Sequence, residues 1–450
     1  MKTSIKLVAW LCFWMLGFGL PARAAEPPEK MRQQLMDGLA PLCEDQLFGI
    51  PCSLLTVERR QVVDDIVEYS FFVRVGAGKY DRIVLHRVVR EGANVSRKAR
   101  KGVFLVHGDA WGFRGAFMSG VGSDITPRPL SFAVYLAQEG LDVWGIDQRW
   151  VQVPPEETDF SFMKTWNLGM YAQDLNIGLA VARFLRTLGQ DGNGKMTLLG
   201  WSRGAVVSYA YLDMESQFPA DRRQVSGFIP VDVAFRFSPQ DTLQRKASCD
   251  GYALLSLLMS LGIYEAGSGQ FIQDLGALAN ASPGTISPYL GPYTNKQAAL
   301  QAGLFTAQLQ PAVIIPTYHF VGGQTTGGLP DKLLYADYNL FVDTLVQAAP
   351  FQSAPEQAET LALWCGSSSP YGSHLKQVTA PVFYVGAAGG TGRYGLYSLS
   401  LLGSTDSKSL VVQRRDSASQ QQDYGHFDLF LASDAKSLVW QPIVNWMQSH

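Results

Sequence analysis

Six short apolar runs constrain this chain more than any other feature. Val103–Val106, Leu141–Ile146, Met196–Leu199, Val225–Val231, Pro381–Val385 and Leu410–Val412 each end at a turn, and helical stretches separate them. Unbroken apolar runs belong to strands buried on both faces, and strands alternating with helices build a parallel sheet covered by helices. The predicted fold class is therefore α/β, with a mostly parallel sheet. Two strands precede the rhythm: Val67–Val73 alternates, and Arg82–Val89 follows across Gly76-Ala77-Gly78. Residues 25–60 read as a polar, proline-containing lead-in. Between Phe235 and Thr379 the rhythm stops. Helical patterns (Leu254–Leu261, Leu333–Val346) and many Gly, Pro and Ser fill that stretch, with no clear parallel strand. It reads as an insertion, a cap or lid over the carboxyl edge of the sheet, where such sheets bind ligands. The implied layout is a leader at 1–24, core at 25–235, lid at 236–379 and core again at 380–450.

Composition narrows the partners. Of 450 residues 47% are apolar and 17% charged, enough for a sizeable core and too apolar for disorder. The 37 basic and 39 acidic residues give a net charge of −2 with no long run of either sign. Nucleic acid and anionic membrane surfaces are poor partners for such a chain. Lys2 and Lys6, the apolar run Leu7–Leu20 and Ala22-Arg23-Ala24 have the order of a secretory signal with its cleavage site. The alternative is an N-terminal anchor helix, although the run is short for a bilayer span. No later segment is long enough to cross a membrane, so the mature chain is expected to be soluble, and the leader directs it to the periplasm or outside the cell. Cys12 falls inside the leader. Cys43, Cys52, Cys249 and Cys365 remain, and spacing favours Cys43–Cys52 with Cys249–Cys365.

The chemistry centres on Gly200-Trp201-Ser202-Arg203-Gly204, which fits G-x-S-x-G between a buried strand and a helix. A sharp strand-turn-helix elbow needs glycines beside the serine, and it exposes the serine oxygen where helix N–H groups favour negative charge. A serine needs a base. Among the histidines His86, His107, His319, His374, His426 and His450, His426 stands in a loop between the last strand and an amphipathic terminal helix. In the order Ser…acid…His, that loop supplies the base. His107-Gly108-Asp109 follows Val103–Val106. The N–H of Asp109 with that of Arg203 makes a candidate oxyanion hole, and His107 itself reads as structural. No cysteine or histidine cluster has metal-ligand spacing, so neither metal nor cofactor is called for.

Further segments carry a family likeness: Leu85-His86-Arg87, Val106-His107-Gly108, Leu136-Ala137 to Gly140 before Asp142-Val143-Trp144, Asp159-Phe160-Ser161-Phe162, and Gly425-His426-Phe427-Asp428 with Asp434-Ala435. In these the chain resembles the α/β-hydrolases, and more narrowly the acid-lipase group of gastric and lysosomal lipases. The likeness covers roughly 80–231 and 380–447 and leaves out the insertion. It implies an α/β-hydrolase fold and hydrolysis of lipid or carboxylic esters. The elbow departs from the family's histidine and glutamine neighbours, having Trp201 and Arg203 instead. A second departure concerns the triad acid, which in the family follows the strand Pro381–Val385. Here that loop is Gly386-Ala387-Ala388-Gly389-Gly390-Thr391-Gly392, without a carboxylate. Two replacements remain open. Asp232 closes Val225–Val231, a strand from which some lipases of this fold draw their acid. Asp406 precedes the last strand, at what should be its amino end. Asp423 and Asp428 lie too close to His426 in sequence to be preferred.

The expectation is thus an exported serine hydrolase acting on small-molecule esters or lipids, with Ser202, His426 and Asp232 catalytic and the N–H groups of Asp109 and Arg203 at the oxyanion. A peptidase or acyltransferase of the same fold is the alternative. So is a non-catalytic ligand-binding relative, for which the glycine loop is the best argument. Asp147 and Arg149 are expected to make core contacts. Arg203 is expected to salt-bridge on the rim rather than bind an acidic substrate. Tyr318-His319-Phe320 and Gly322–Gly328 in the insertion either line the pocket or form a loop, a plain surface loop being preferred.

Overall fold

The computed structural model describes residues 53–92, 95–96, 101–123, 131–189, 191–192, 194–309 and 313–450, together with two helical positions, Gln33 and Asp37. The expected leader, its cleavage site and the Cys43–Cys52 pair lie outside the described residues. Ten strands form one mixed sheet: β1 (Ser53–Val63), β2 (Ile66–Arg74), β3 (Arg82–Gly92), β4 (Val95–Ser96), β5 (Gly102–Val106), β6 (Asp142–Asp147), β7 (Met196–Trp201), β8 (Val225–Val231), β11 (Val382–Ala387) and β12 (Ser407–Val412). Two more, β9 (Gly323–Thr326) and β10 (Leu329–Leu333), pair only with each other. The order in the large sheet is β1-β2-β3-β6-β5-β7-β8-β11-β12, with β4 on β3. From β6 to β12 every pairing is parallel, while β1, β2 and β3 run antiparallel up to β6.

Each apolar run feeds two cores because successive side chains point to opposite faces. In β5, Val103 and Leu105 join one core, and Phe104 and Val106 join the other. The helices Phe132–Gln138 and Gln441–Ser449 cover the first face; Leu168–Leu188 and Arg203–Glu215 cover the second. All five residues of β5 are buried, so truncating Leu105 to Ala would cost about 2–5 kcal/mol.

Three expectations about local structure change. Residues 53–63 form strand β1 rather than part of a loose lead-in. Its charges hid the pattern: Leu54 and Val57 are buried, while Arg59 pairs with Glu91 and Arg60 with Glu68 on neighbouring strands. The helix expected from Leu333 begins at Tyr338, where the Asp337 side chain accepts the N–H of Leu340. The glycine-rich 322–328 segment belongs to the β9–β10 hairpin, which turns at Gly327 and Gly328, both at positive φ.

Between β8 and β11 lie helices Thr242–Ser260, Gly269–Ala281, Asn295–Leu304, Tyr338–Val346 and Ala354–Cys365, along with the β9–β10 hairpin. Thr242–Ser260 packs on Ala354–Cys365, and Cys249 and Cys365 join them with Cα atoms 4.8 Å apart. Among the described residues no helix is long and apolar enough to cross a membrane, and no group of three or more His, Cys, Asp or Glu could hold a metal ion.

Candidate active site

Ser202 sits at the carboxyl end of β7 as the N-cap of the helix Arg203–Glu215, with φ 55° and ψ −132°. A non-glycine residue held there is strained, as the elbow requires. The flanking glycines answer a packing demand. A Cβ on Gly200 would lie 2.5 Å from Ala205 Cα, and one on Gly204 would lie 2.2 Å from the carbonyl oxygen of His107. Gly108 closes the approach from β5, since a Cβ there would lie 2.7 Å from Ser202 Cβ. The turn after β5 is therefore pressed against the serine. The N–H groups of Asp109 and Arg203 donate to no other group among the described residues.

Strand register brings the acid beside the serine. Trp201 pairs with Val231 across β7 and β8, so Asp232 leaves its strand at the level of Ser202. The Asp232 side chain is fully buried, and His426 Nδ1 donates to its Oδ2 at 2.6 Å. That bond leaves Nε2 as the ring's other nitrogen, and Ser202 and His426 both line one cavity. Three backbone N–H groups complete the carboxylate's shell: Ala387 (2.9 Å) and Gly392 (2.9 Å) donate to Oδ1, and Thr391 (3.0 Å) donates to Oδ2. Ala387 ends β11, and Thr391 and Gly392 belong to the loop that follows, a loop with no carboxylate of its own. A Cβ on Gly390 would lie 2.0 Å from Asp232 Oδ2, which makes glycine necessary there.

Asp406 lies elsewhere. It precedes Ser407, which pairs with Val382 at the amino end of β11, and its half-exposed carboxylate accepts from His450 Nε2 at 3.0 Å. Asp423 and Asp428 hold the histidine loop without touching the imidazole: the N–H of Arg414 donates to Asp423 Oδ1, and those of Gly322 and Gly425 to Asp428 Oδ2. Burial pushes the Asp428 carboxyl up to about 8, against the opposing pull of those two N–H donors.

The segment expected to be a surface loop is packed into this site. His319 is buried, and its N–H donates to the carbonyl of Gly389 while its carbonyl accepts from His426 N–H. Tyr318 and Phe320 face the cavity, and Phe320 stacks on Phe427 with ring centroids 4.3 Å apart. The pocket-lining alternative is thus the one observed; sequence alone favours a surface loop because the partners of these residues are far along the chain. Burial lowers the proton affinity of His319 and of His107. The His107 ring accepts the N–H of Gln148 at Nε2 and contacts the Gly108 carbonyl through Nδ1, a structural placement as expected. Asp147 bonds His86 and the N–H of Phe113, and Arg149 pairs with Asp174 and Asp81.

The unusual elbow neighbours both have contacts. Trp201 stacks on the His426 ring, with centroids 4.9 Å apart and planes at 22°. Arg203 makes the expected salt bridge, but within the site: its Nε lies 2.6 Å from one oxygen of Asp109, and its Nη1 lies 3.6 Å from Glu356. Burial pushes the Glu356 carboxyl up to about 7, with Arg203 opposing.

The cavity measures 520 Å³. Its floor is the sheet edge at Ser202, Asp232 and His426; its walls include Leu254, Leu258, Ile315, Leu361 and Trp364 from the segment between β8 and β11.

No family model matches the sequence, and no curated protein matches it. Solved structures do. A candidate lipase from Sulfolobus solfataricus is 18% identical, matching 86% of this chain and 95% of its own with a TM-score of 0.58. The chain has the α/β-hydrolase fold. A soluble variant of monoglyceride lipase from Saccharomyces cerevisiae, solved with a substrate analogue, also matches at 13% identity over 82% of this chain and 92% of that one, with a TM-score of 0.44. In α/β-hydrolase terms, the elbow, the turn after β5 and the loop before the last helix occupy one sheet edge.

Proposed function

We propose that this chain is an exported serine hydrolase that cleaves carboxylic esters with an apolar acyl group. The observation carrying the proposal is the 2.6 Å bond from His426 to the buried Asp232, beside a serine on a strained elbow in the same cavity. Ser202 Oγ attacks the ester carbonyl as its proton passes to His426 Nε2. The N–H groups of Asp109 and Arg203 hold the oxyanion. His426 then gives the proton to the leaving alkoxide, and an alcohol departs from the acyl-enzyme. Water, deprotonated by the same nitrogen, releases the carboxylic acid and restores the serine. Asp232 holds the ring in the required tautomer and stabilises the imidazolium.

The apolar walls support an apolar acyl group, and the segment between β8 and β11, lying over the serine, supports a lid. The segments similar to the acid-lipase group point the same way. The glycine loop no longer favours a non-catalytic relative, because its N–H groups and the absence of a side chain at Gly390 accommodate Asp232. Export rests on the basic and apolar leader and on the Cys249–Cys365 pair, which suits an oxidising compartment.

Intact-mass labelling with a fluorophosphonate tests the reading. Stoichiometric labelling of the leaderless protein is expected, with none in Ser202→Ala and a rate lowered by at least about a thousandfold in His426→Ala. A wild-type protein that stays unlabelled while a control esterase labels would overturn it.

A further inference from the structure

The two residues assigned to the oxyanion hole are joined through their side chains. Asp109 follows the Gly108 turn of β5, and Arg203 opens the helix after β7. They are 94 residues apart, yet the guanidinium Nε lies 2.6 and 2.7 Å from the two oxygens of one carboxylate. Nothing covalent fixes the spacing of the two main-chain N–H groups, and a donor pair works only if its spacing matches the oxyanion. The far side of the guanidinium faces Glu356, 3.6 Å from Nη1, and lies 5.9 Å from the Trp364 ring. Glu356 belongs to Ala354–Cys365, the helix that also brings Leu361 and Trp364 to the cavity. It is buried, and Thr360 donates to its other oxygen at 2.9 Å. The guanidinium thus lies between two carboxylates, which leaves no unopposed positive charge for an anionic substrate.

We propose that the Asp109–Arg203–Glu356 chain is a positioning brace that sets the spacing of the two oxyanion donors and ties it to the helix Ala354–Cys365. The inference rests on the proposed hydrolase reading. Its signature is a loss concentrated in the transition state: the brace acts through the spacing of the two donors, so breaking it lowers kcat and leaves KM nearly unchanged. Seating of the helix then reaches the chemistry through Glu356.

The test uses Asp109→Asn, Arg203→Gln, their double variant and Glu356→Gln, assayed on p-nitrophenyl butyrate and titrated with a boronic acid that forms a tetrahedral serine adduct. Asp109→Asn and Arg203→Gln should each lower kcat about tenfold to a hundredfold with KM within about threefold, weakening the boronic acid in parallel. The double variant should lose no more than the worse single one, because both remove the same contact. Glu356→Gln should show the same pattern at smaller size. Losses that appear in KM alone, that multiply in the double variant, or that leave boronic acid affinity unchanged would overturn the brace. Should Asp109→Asn fail to fold, Arg203→Lys carries the test: it keeps the charge but not the planar head, and an unchanged kcat there would overturn the proposal. Wild-type turnover and labelling run alongside, so an inactive wild type sinks the hydrolase reading rather than the brace.

Discussion

The carboxyl ends of β8 and β11 lie side by side, and each could have provided the acid for His426. At β8 the chain supplies a carboxylate, Asp232, fully buried and bonded to the imidazole. At β11 it supplies main-chain N–H groups that point at that carboxylate from Ala387, Thr391 and Gly392. In the proposed triad, the acid is defined by where its oxygens arrive rather than by the strand that carries it. The comparison also shows what the other strand end must then do. A side chain at Gly390 would occupy the space of Asp232 Oδ2, so the loop that gives up the acid also gives up bulk.

Removing the acid is the severest way to break this comparison. Asp232→Asn retains the shape but not the charge, and it permits the wrong imidazole tautomer; kcat should fall by about 10³–10⁴-fold. Asp406→Asn, at the opposite edge of the sheet, should stay within about twofold of wild type, and a larger loss there than at Asp232 would reverse the assignment. Gly390→Ala asks whether the cradle matters apart from the acid. Its Cβ forces the carboxylate to shift, and a displacement of about 1 Å should lower kcat by about a hundredfold with Asp232 intact. Wild-type kcat in the Gly390→Ala enzyme would show that the loop tolerates bulk.

The smallest effect concerns the second carboxylate near the histidine. Asp428 accepts two N–H groups through one oxygen and is held at about 8, whereas an unfolded aspartate titrates near about 4. Between those values the folded state keeps a proton that the unfolded state has lost. Stability from this group is therefore complete below about pH 4 and declines as pH rises through 8. Asp428→Asn keeps an acceptor for both N–H groups and cannot ionise. Its Tm should match wild type near pH 4 and exceed it by at least about 2–4 °C at pH 9. An equal shift at both pH values would refute the titration argument.

Much of the site was readable from short-range pattern. Ser202 is marked by glycines two residues away on each side, and His426 by its place between the last strand and the terminal helix. Strand β1 was missed because its charged residues read as solvent-facing until paired across strands, Arg60 with Glu68 on β2 and Arg59 with Glu91 on β3, 32 residues away. Tyr318–Phe320 were misread for a related reason: His319 bonds Gly389 and His426, both far along the chain, and without them the tripeptide resembles any loop. The choice between Asp232 and Asp406 was likewise undecidable from sequence, since the contact that settles the geometry spans 194 residues.

The sequence by itself determined the parallel sheet, the elbow and the order of its chemical groups, because strand burial and tight turns are dictated by neighbours within a few positions. Tertiary structure alone decided which carboxylate meets His426, that the glycine loop is its cradle, and that Arg203 lies between Asp109 and Glu356. Those outcomes depend on strand register and on side chains converging at one sheet edge, and neither is encoded in any short stretch of the chain.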